Sequence, residues 1–274
     1  LGVFQTALSK IGPQLAQDAD SLSSFSDSVN TLSKTDSALG AQGAVDALSG
    51  SLLQFGVNVN DTKEVAKEGA RFMNVLAASA GVGSASVSQV AETTAKAGAS
   101  AKNANVSFEE FAATTQVLAS KSIVGSEAGT ALSAVFTALQ KAPGPAAEKL
   151  EKLGTSSQKL GELLTTKGVG AAMDEVRKAM SKLGTDAEKN AFTIDLFGQT
   201  GANAAQALLS GGEMLKEFTK GVTGTSAGVD QAAVNMATLS EQISRAKSVI
   251  ENVAIGVYRA IVPMVSSVFT AISE

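Results

Sequence analysis

Helix-start signals recur along the middle of the chain at a spacing that leaves few alternatives to α-helix. In each, a Ser, Thr or Asp is followed three residues later by Glu or Gln. The first side chain can then accept a hydrogen bond from the third amide of the helix, while the second reaches back to the cap. Four pairs have this spacing: Asp61 with Glu64, Ser86 with Gln89, Ser107 with Glu110, and Thr185 with Glu188. No convincing strand alternation accompanies them, so we predict an all-α fold.

Glycine and proline divide this helical region into short elements. Gly154, Gly184 and Gly198 stand where helix ends favour a left-handed residue, and the sequence Pro143-Gly144-Pro145 cannot continue a helix. The pattern of residues 155–168 is ambiguous between helix and strand. The predicted helices cover 62–80, 87–101, 108–121, 127–141, 145–153, 170–183, 186–197, 201–210 and 213–220.

The first 36 residues have a different, heptad pattern. Apolar residues fill the a and d positions of a 3.5-residue repeat, with Asp18 as the exception. Gly12-Pro13 interrupts the segment, so we expect a broken or kinked helical arm. Asp18 could fix the register of a seam or could simply be exposed. The a positions are Leu1, Leu8, Leu15, Leu22 and Val29, and the d positions are Phe4, Ile11, Asp18, Phe25 and Leu32.

Heptads return after residue 226, where successive a and d positions are apolar without interruption. This pattern predicts a long helix over 226–274 that self-associates, and it leaves dimer, trimer and larger bundle open. The predicted self-association seam contains Met236, Leu239, Ile243, Ala246, Ile250, Val253 and Val257.

The end of this predicted helix, residues 253–272, is apolar nearly all round and long enough to cross a bilayer. Arg259 and Pro263 stand in its middle, and an Arg at the bilayer centre costs about 2.5–3.5 kcal/mol on insertion scales. Burial in a helical bundle is therefore the favoured interpretation, and membrane insertion is the alternative.

The composition excludes the common catalytic and metal chemistries. The chain contains no His and no Cys, so it cannot form the usual zinc site, thiol nucleophile or Ser-His-Asp arrangement. Glu109 and Glu110 are adjacent on a helix and point about 100° apart, so they cannot flank one bond together, and a role in first-turn electrostatics is expected. We therefore predict no enzyme activity, no cofactor and no metal.

Charge and apolar composition narrow the class of protein further. The net charge is −4 without a basic cluster, which disfavours specific nucleic-acid binding. Hydrophobic residues make up 44% of the chain but aromatic residues only 4%, so the apolar material suits slim helix–helix seams.

We predict three regions: an arm (1–36), a core of short capped helices (37–225) and a heptad helix (226–274), extended overall. Because the chain begins at Leu1, we expect an internal fragment of a longer protein.

Several stretches, in order along roughly four fifths of the chain, resemble phage tail tape measure proteins. The most specific is GSEAGTAL, which begins at Gly125, preceded by SFEEFAATTQVLASKSI and followed by a helix ending in LEKLG. Others are LLQFGVNVNDTKEVA, DAEKNAFTIDLFGQTGANAAQALL and ATLSEQISRAKSVIENVAIGV. After LEKLG, where the family often has a Gly-containing, strand-like insertion, this chain has TSSQKLGELLTTKGVG, which leaves a small β element open.

The motif from Gly125 to Thr130 has a structural interpretation. It lacks the lysine and the glycine spacing of a phosphate-binding loop. We expect Gly125 to turn the chain, Ser126 to cap a helix, Glu127 to favour the positive helix end, and Gly129 to let another helix approach. The motif residues are Gly125, Ser126, Glu127, Ala128, Gly129 and Thr130.

The resemblance implies a structural role in the virion. Copies of the protein, three by family resemblance, would lie extended inside the growing tail, and their length would limit the tube. The implied partners are the chain itself, the tail tube protein, tail-tip and distal tail proteins, tail assembly chaperones and, on release with the genome, the host envelope. A membrane-active helical toxin or effector and a coiled-coil scaffold are the alternative interpretations.

Overall fold

Ten α-helices and one short 3-10 helix build the part of the chain that the computed structural model describes, residues 11–36 and 38–230. Within these residues there is no strand. The predicted all-α fold is confirmed. In chain order, a 3-10 helix (Pro13–Gln17) precedes α1 (Ala19–Thr35), α2 (Gly40–Gln54), α3 (Thr62–Val82), α4 (Val87–Asn103), α5 (Phe108–Ala119), α6 (Gly125–Gln140), α7 (Gly144–Lys152), α8 (Ser157–Met180), α9 (Asp186–Ser210) and α10 (Gly212–Val222).

All four predicted caps accept hydrogen bonds from the first turn of a helix. Ser86 and Thr185 form complete reciprocal boxes with Gln89 and Glu188. Asp61 accepts from the amides of Lys63 and Glu64, and Ser107 accepts from the amide of Glu110. The side chain of Glu110 does not return to its own cap and bonds the amides of Val169 and Gly170 instead.

The structure corrects several predicted helix boundaries. Residues 40–54, where no helix was predicted, form α2, and the ambiguous residues 155–168 lie mostly in α8. The predicted helices 186–197 and 201–210 are the two halves of α9, which bends at Gly198. Gly154 and Gly198 have positive φ as predicted. Gly184 does not: its amide donates to Glu188 at 2.9 Å, just before the Thr185 cap.

The described part of the N-terminal segment, residues 11–36, shares the core of the other helices. Its break at Pro13 is confirmed, because a 3-10 helix occupies residues 13–17. Most heptad residues of α1 are buried and Leu22 is half-buried, and the helix packs on α2 and α3. The Phe25 ring lies so close to Gly69 of α3 that a Cβ there would be 3.1 Å from it. In α1 and the residues before it, the buried heptad residues are Ile11, Leu15, Phe25, Val29 and Leu32.

Asp18 has neither of the two roles considered for it. Its carboxylate caps α1 by accepting from Ser21, and it also accepts from the Thr62 hydroxyl at 2.6 Å. The hydrogen bond from Thr62, followed by those from Ser21, lowers the pKa of Asp18 to about 2. Asp18 therefore joins the start of α1 to the start of α3.

A cluster of phenylalanines supplies much of the bulk in a core otherwise rich in Ala, Val and Leu. Phe108, at the start of α5, stacks on Phe72 of α3 with ring centroids 4.0 Å apart and meets Phe55 edge-on at 5.0 Å. Phe111 contacts Phe55 and Phe136, which extends the cluster to α6. These rings are buried, so α3, α5 and α6 are held around one aromatic centre.

The C-terminal predictions lie largely outside the described residues. Residues 227–230 are helical, and the amide of Gly228 donates to Asn74 of α3 at 3.2 Å. The seam from Met236 to Val257 and the apolar stretch 253–272 lie beyond Asp230. Among the residues that the structure describes, no helix is both long and apolar enough to span a bilayer.

Candidate functional site

The GSEAGT motif lies at the start of α6, where this helix packs against α4. Gly125 begins α6 with φ 58°, a left-handed conformation, and its carbonyl accepts from the Thr93 hydroxyl at 3.0 Å. A Cβ on Gly125 would lie 2.5 Å from the Glu92 carboxylate. The left-handed backbone conformation therefore favours glycine here, whereas the exposed Glu92 side chain could move away from a Cβ.

Gly129 lets the two helices approach one turn further along. A Cβ at this position would lie 2.6 Å from the Cβ of Lys96 and 2.8 Å from the carbonyl oxygen of Thr93. Ala128, beside it, is buried in the same interface. This is the close helix approach that the sequence predicted for Gly129.

Ser126 is not the helix cap that the sequence predicted. The N-cap position belongs to Val124, whose side chain cannot accept a hydrogen bond, and helical residues begin at Gly125. Ser126, Glu127 and Thr130 are exposed, and the Thr130 hydroxyl bonds the carbonyl of Ser126 within the same helix. Glu127 lies in the first turn, where its charge suits the positive helix end. The motif thus has a packing face of small residues and a polar outer face.

We predict that Gly129→Ala lowers the free energy of unfolding by about 1–3 kcal/mol, because the new methyl group forces α4 and α6 apart. Gly50→Ala is the matched control. Gly50 lies inside α2 with nothing within 4 Å of a Cβ, so alanine should be neutral or stabilise by about 0.5–1 kcal/mol. Urea denaturation of both variants measures the difference. Equal effects at the two positions would contradict the packing role of Gly129.

Glu110 connects α5 to α8 across 59 residues of sequence. Its Oε1 accepts from the amide of Val169 at 2.7 Å and from that of Gly170 at 3.3 Å. These amides open the second half of α8, directly after Gly168, whose φ of 86° interrupts the helix. The carboxylate therefore caps a helix distant in sequence. The role predicted for Glu110 was favourable electrostatics in the first turn of its own helix, and it did not include this contact.

Burial raises the pKa of Glu110, and the hydrogen bonds from Gly170 and Val169 oppose that shift only in part. The folded protein then binds the proton more tightly than the unfolded chain, so this group's contribution to stability falls as the pH rises above its ordinary pKa of 4.5. We predict that Glu110→Gln, which keeps an acceptor oxygen but does not titrate, becomes more stable relative to the unsubstituted chain as the pH rises. Urea unfolding at pH 4 and pH 7 measures this. A free energy of unfolding for Glu110→Gln that falls relative to that of the unsubstituted chain between pH 4 and pH 7 would contradict it.

Glu109, the neighbouring acid, contacts α3. It forms an ion pair with Arg71, which also pairs with Glu68 at 2.7 Å and lies over the Phe72 ring. Glu68, Arg71 and Phe72 border a cleft of about 410 Å³ between α3, the residues after α2, the end of α4 and the start of α5. The two adjacent acids therefore contact different helices, and they form no paired-carboxylate site.

The described residues contain no cluster of acidic side chains arranged to hold a metal ion. Three features of this region hold helices together. They are the close helix approach at Gly129, the Glu110 carboxylate that caps a distant helix, and the ion pair of Glu109 with Arg71 beside the aromatic cluster. The sequence predicted the close helix approach, through Gly129. It did not predict the carboxylate cap, because nothing in the side chains of Val169 and Gly170 identifies Glu110 as the partner of their amides.

Comparison with known proteins indicates that the chain is of phage origin. The model of the family described as phage-related minor tail protein matches residues 4–198, more than half of the chain. The chain is 26% identical over 232 residues to the tape measure protein of Pneumococcus phage Dp-1, covering 84% of this chain and 19% of that protein. It is 35% identical over 113 residues to the probable tape measure protein of Escherichia phage P2, covering 40% and 13%.

The chain thus spans about a fifth or less of the length of these relatives. No solved structure matches it. The family match, two tape measure relatives and an all-helical fold together support a structural role in a phage tail. The chain belongs to the family of phage-related minor tail proteins, and it is related to tape measure proteins.

Proposed function

We propose that this chain is part of a tape measure protein, which sets the length of the tail tube during assembly and leaves the tube with the genome on infection. The observation that carries the proposal is the similarity to the Dp-1 tape measure protein over 84% of the chain. The all-helical fold supports it, because an α-helix has a fixed rise of about 1.5 Å per residue and so converts residue number into length.

The role is structural, and the polar groups of the described residues are suited to it. Buried hydroxyls bond helix carbonyls, as Thr94 does to Val90 and Thr115 does to Phe111. The two adjacent acids hold helices together. No described group of side chains is arranged to bind a metal, and the chain contains no histidine or cysteine to act as a nucleophile or base.

Copies of the protein would associate through the heptad seam after residue 226. Apolar side chains at Met236, Ile243 and Ile250 would pack against the same positions of neighbouring copies, in a trimer by family resemblance. The tube protein would polymerise around this bundle, with chaperones and tail-tip proteins as further partners. The net charge of −4 suits a protein that vacates a channel used by DNA, because a basic chain would bind phosphates.

Release is testable in purified virions of the phage that encodes the chain. Before ejection, we expect the protein to be protected from added protease inside the tail. After ejection is triggered, emptied tails should lack it by immunoblot. The tube protein, measured on the same blot, is the control for tail recovery. Digestion of the chain in intact virions, or its retention in emptied tails, would contradict the proposal.

A further inference from the structure

Two of the longest helices each contain a single break at a glycine. In α8 the non-helical residue is Gly168, with φ 86° and ψ −176°. In α9 it is Gly198, with φ 68° and ψ 171°. Helical residues continue on both sides of each glycine without an intervening loop. One residue therefore accounts for each change of direction.

Side-chain contacts across the breaks show that each helix folds back on itself. In α8, Lys159 Nζ lies 2.7 Å from Glu175 Oε1. In α9, Gln206 Nε2 donates to Asn190 Oδ1 at 2.9 Å. Each pair is 16 residues apart, which in a straight helix would place the backbones about 24 Å apart, beyond the reach of two side chains. Both helices are hairpins, hereafter the α8 hairpin (157–180) and the α9 hairpin (186–210).

The two hairpins are held closed in different ways. The α8 hairpin is fixed from outside, by Glu110 on the amides of Val169 and Gly170 and by Asn105, whose Nδ2 donates to the Thr165 carbonyl at 2.8 Å. At the α9 hairpin, a Cβ on Gly198 would meet nothing within 4 Å. No neighbouring atom therefore packs against Gly198 from the Cβ side, and we take the contacts made by the two arms to hold this bend closed.

Those contacts are mostly apolar and could be replaced by a different neighbour. Beyond the bend, Gly201 approaches Ala134 and Val135 of α6 closely, and the arms bury Phe192 and Leu196. A helical surface of this kind can pack on α6 or on another copy of the chain. A change of neighbour would shift the equilibrium between bent and straight forms only if the straight form makes the better contacts.

We propose that Gly168 and Gly198 are hinges, and that both hairpins open into continuous helices when the chain is assembled in the tail. This inference rests on the proposed function. Each opening needs the torsions of one glycine to change to helical values, and it adds about 18 Å of length, the rise of twelve residues. Glu110 is the latch of the α8 hairpin, since its carboxylate must leave the amides that the straight helix would bond internally.

Engineered thiols test this directly, because the chain has no cysteine of its own. Asn190→Cys with Gln206→Cys places two thiols across the α9 hairpin. A short bis-maleimide should crosslink them efficiently in the isolated 274-residue chain. In tails assembled from the full-length protein, we expect intramolecular crosslinking to fall at least about tenfold, because the two positions are about 24 Å apart in a straight helix. The control, Asn190→Cys with Ile194→Cys, lies within one arm and should crosslink in both states.

The substitution Gly198→Ala is a second test, because it destabilises the bent form of α9 and stabilises the straight form. Alanine disfavours the left-handed conformation and favours the straight helix, which together shift the equilibrium toward the straight form by about 30- to 150-fold. The isolated chain should melt about 2–8 °C lower, while tails carrying the substitution should assemble normally.

The hinge is overturned if the 190/206 pair crosslinks in tails as well as the control pair does, or if Gly198→Ala impairs tail assembly. Failure of the hinge and failure of the proposed function are distinguishable. If tail length changes with residue number but the 190/206 pair still crosslinks in tails, only the hinge is contradicted. If the 190/206 pair no longer crosslinks in tails but tail length does not change with residue number, only the ruler is contradicted.

Discussion

Gly168→Ala is expected to lower the free energy of unfolding by about 2.5–5 kcal/mol. A φ of 86° costs a residue with a Cβ about 1–2 kcal/mol. The new methyl group would also lie 2.5 Å from both carboxylate oxygens of Glu110, so it displaces the carboxylate from the two amides that it caps. Loss of a hydrogen bond to a charged group adds about 1.5–3 kcal/mol. Urea denaturation of the folded chain measures the sum.

A double-mutant cycle separates the two contributions. With Glu110→Ala already in place, Gly168→Ala should cost only the backbone strain, about 1–2 kcal/mol. Gly170→Ala is the matched control, because Gly170 lies two residues further on in ordinary helix with its nearest side-chain atom at 3.8 Å. An equal cost for Gly168→Ala in both backgrounds would show that Glu110 and Gly168 are not coupled.

Phe108→Ala is expected to cost about 3–5 kcal/mol, the range for removal of a buried aromatic side chain. Phe108 is 1% exposed, and its ring stacks on Phe72 and meets Phe55 edge-on. The cavity would open where α3, α5 and the residues after α2 meet. Leu53→Ala is the control, because Leu53 is 43% exposed and should cost under about 1 kcal/mol. Similar costs at both positions would contradict the central role of the aromatic cluster.

Features set by local geometry were predictable from the sequence. The caps at Ser86 and Thr185 depend on side chains three residues apart, and the left-handed glycine at 198 follows from its place at a helix end. The close approach at Gly129 was also predicted, because a glycine inside an amphipathic helix lets a neighbouring helix pack closely, although Gly50 shows that not every helical glycine has this role. The caps depend only on neighbours in sequence, and the signal at Gly198 and Gly129 is the glycine itself and not the identity of its partner.

Contacts between distant residues were not predictable. The partners of Glu110 are backbone amides 59 and 60 residues away, and nothing in the local sequence distinguishes them. The sequence likewise indicated a break at Gly198 but not that the two arms fold back, since the contact between Asn190 and Gln206 depends on the packing of α9 on other helices.

The N-terminal heptads show what periodicity can and cannot establish. Phe25, Val29 and Leu32 are buried, as their spacing predicted. Helices α2 and α3 of the same chain cover them, because a heptad pattern identifies the apolar face of a helix and not its partner. Self-association through Ile243 and Ile250 rests on the same kind of pattern, so it stays a prediction.

Tail length as a function of residue number tests the ruler most directly. The phage that encodes the chain would carry in-frame deletions or duplications of two and four heptads within residues 232–259, so that the a/d spacing is preserved. Electron microscopy of purified tails should give a linear change of about 1.5 Å per residue, or about 42 Å for 28 residues. A third variant, with the same 28 residues replaced by an unrelated heptad sequence of equal length, should leave the length unchanged. Tails of constant length across the deletions and duplications would contradict the account.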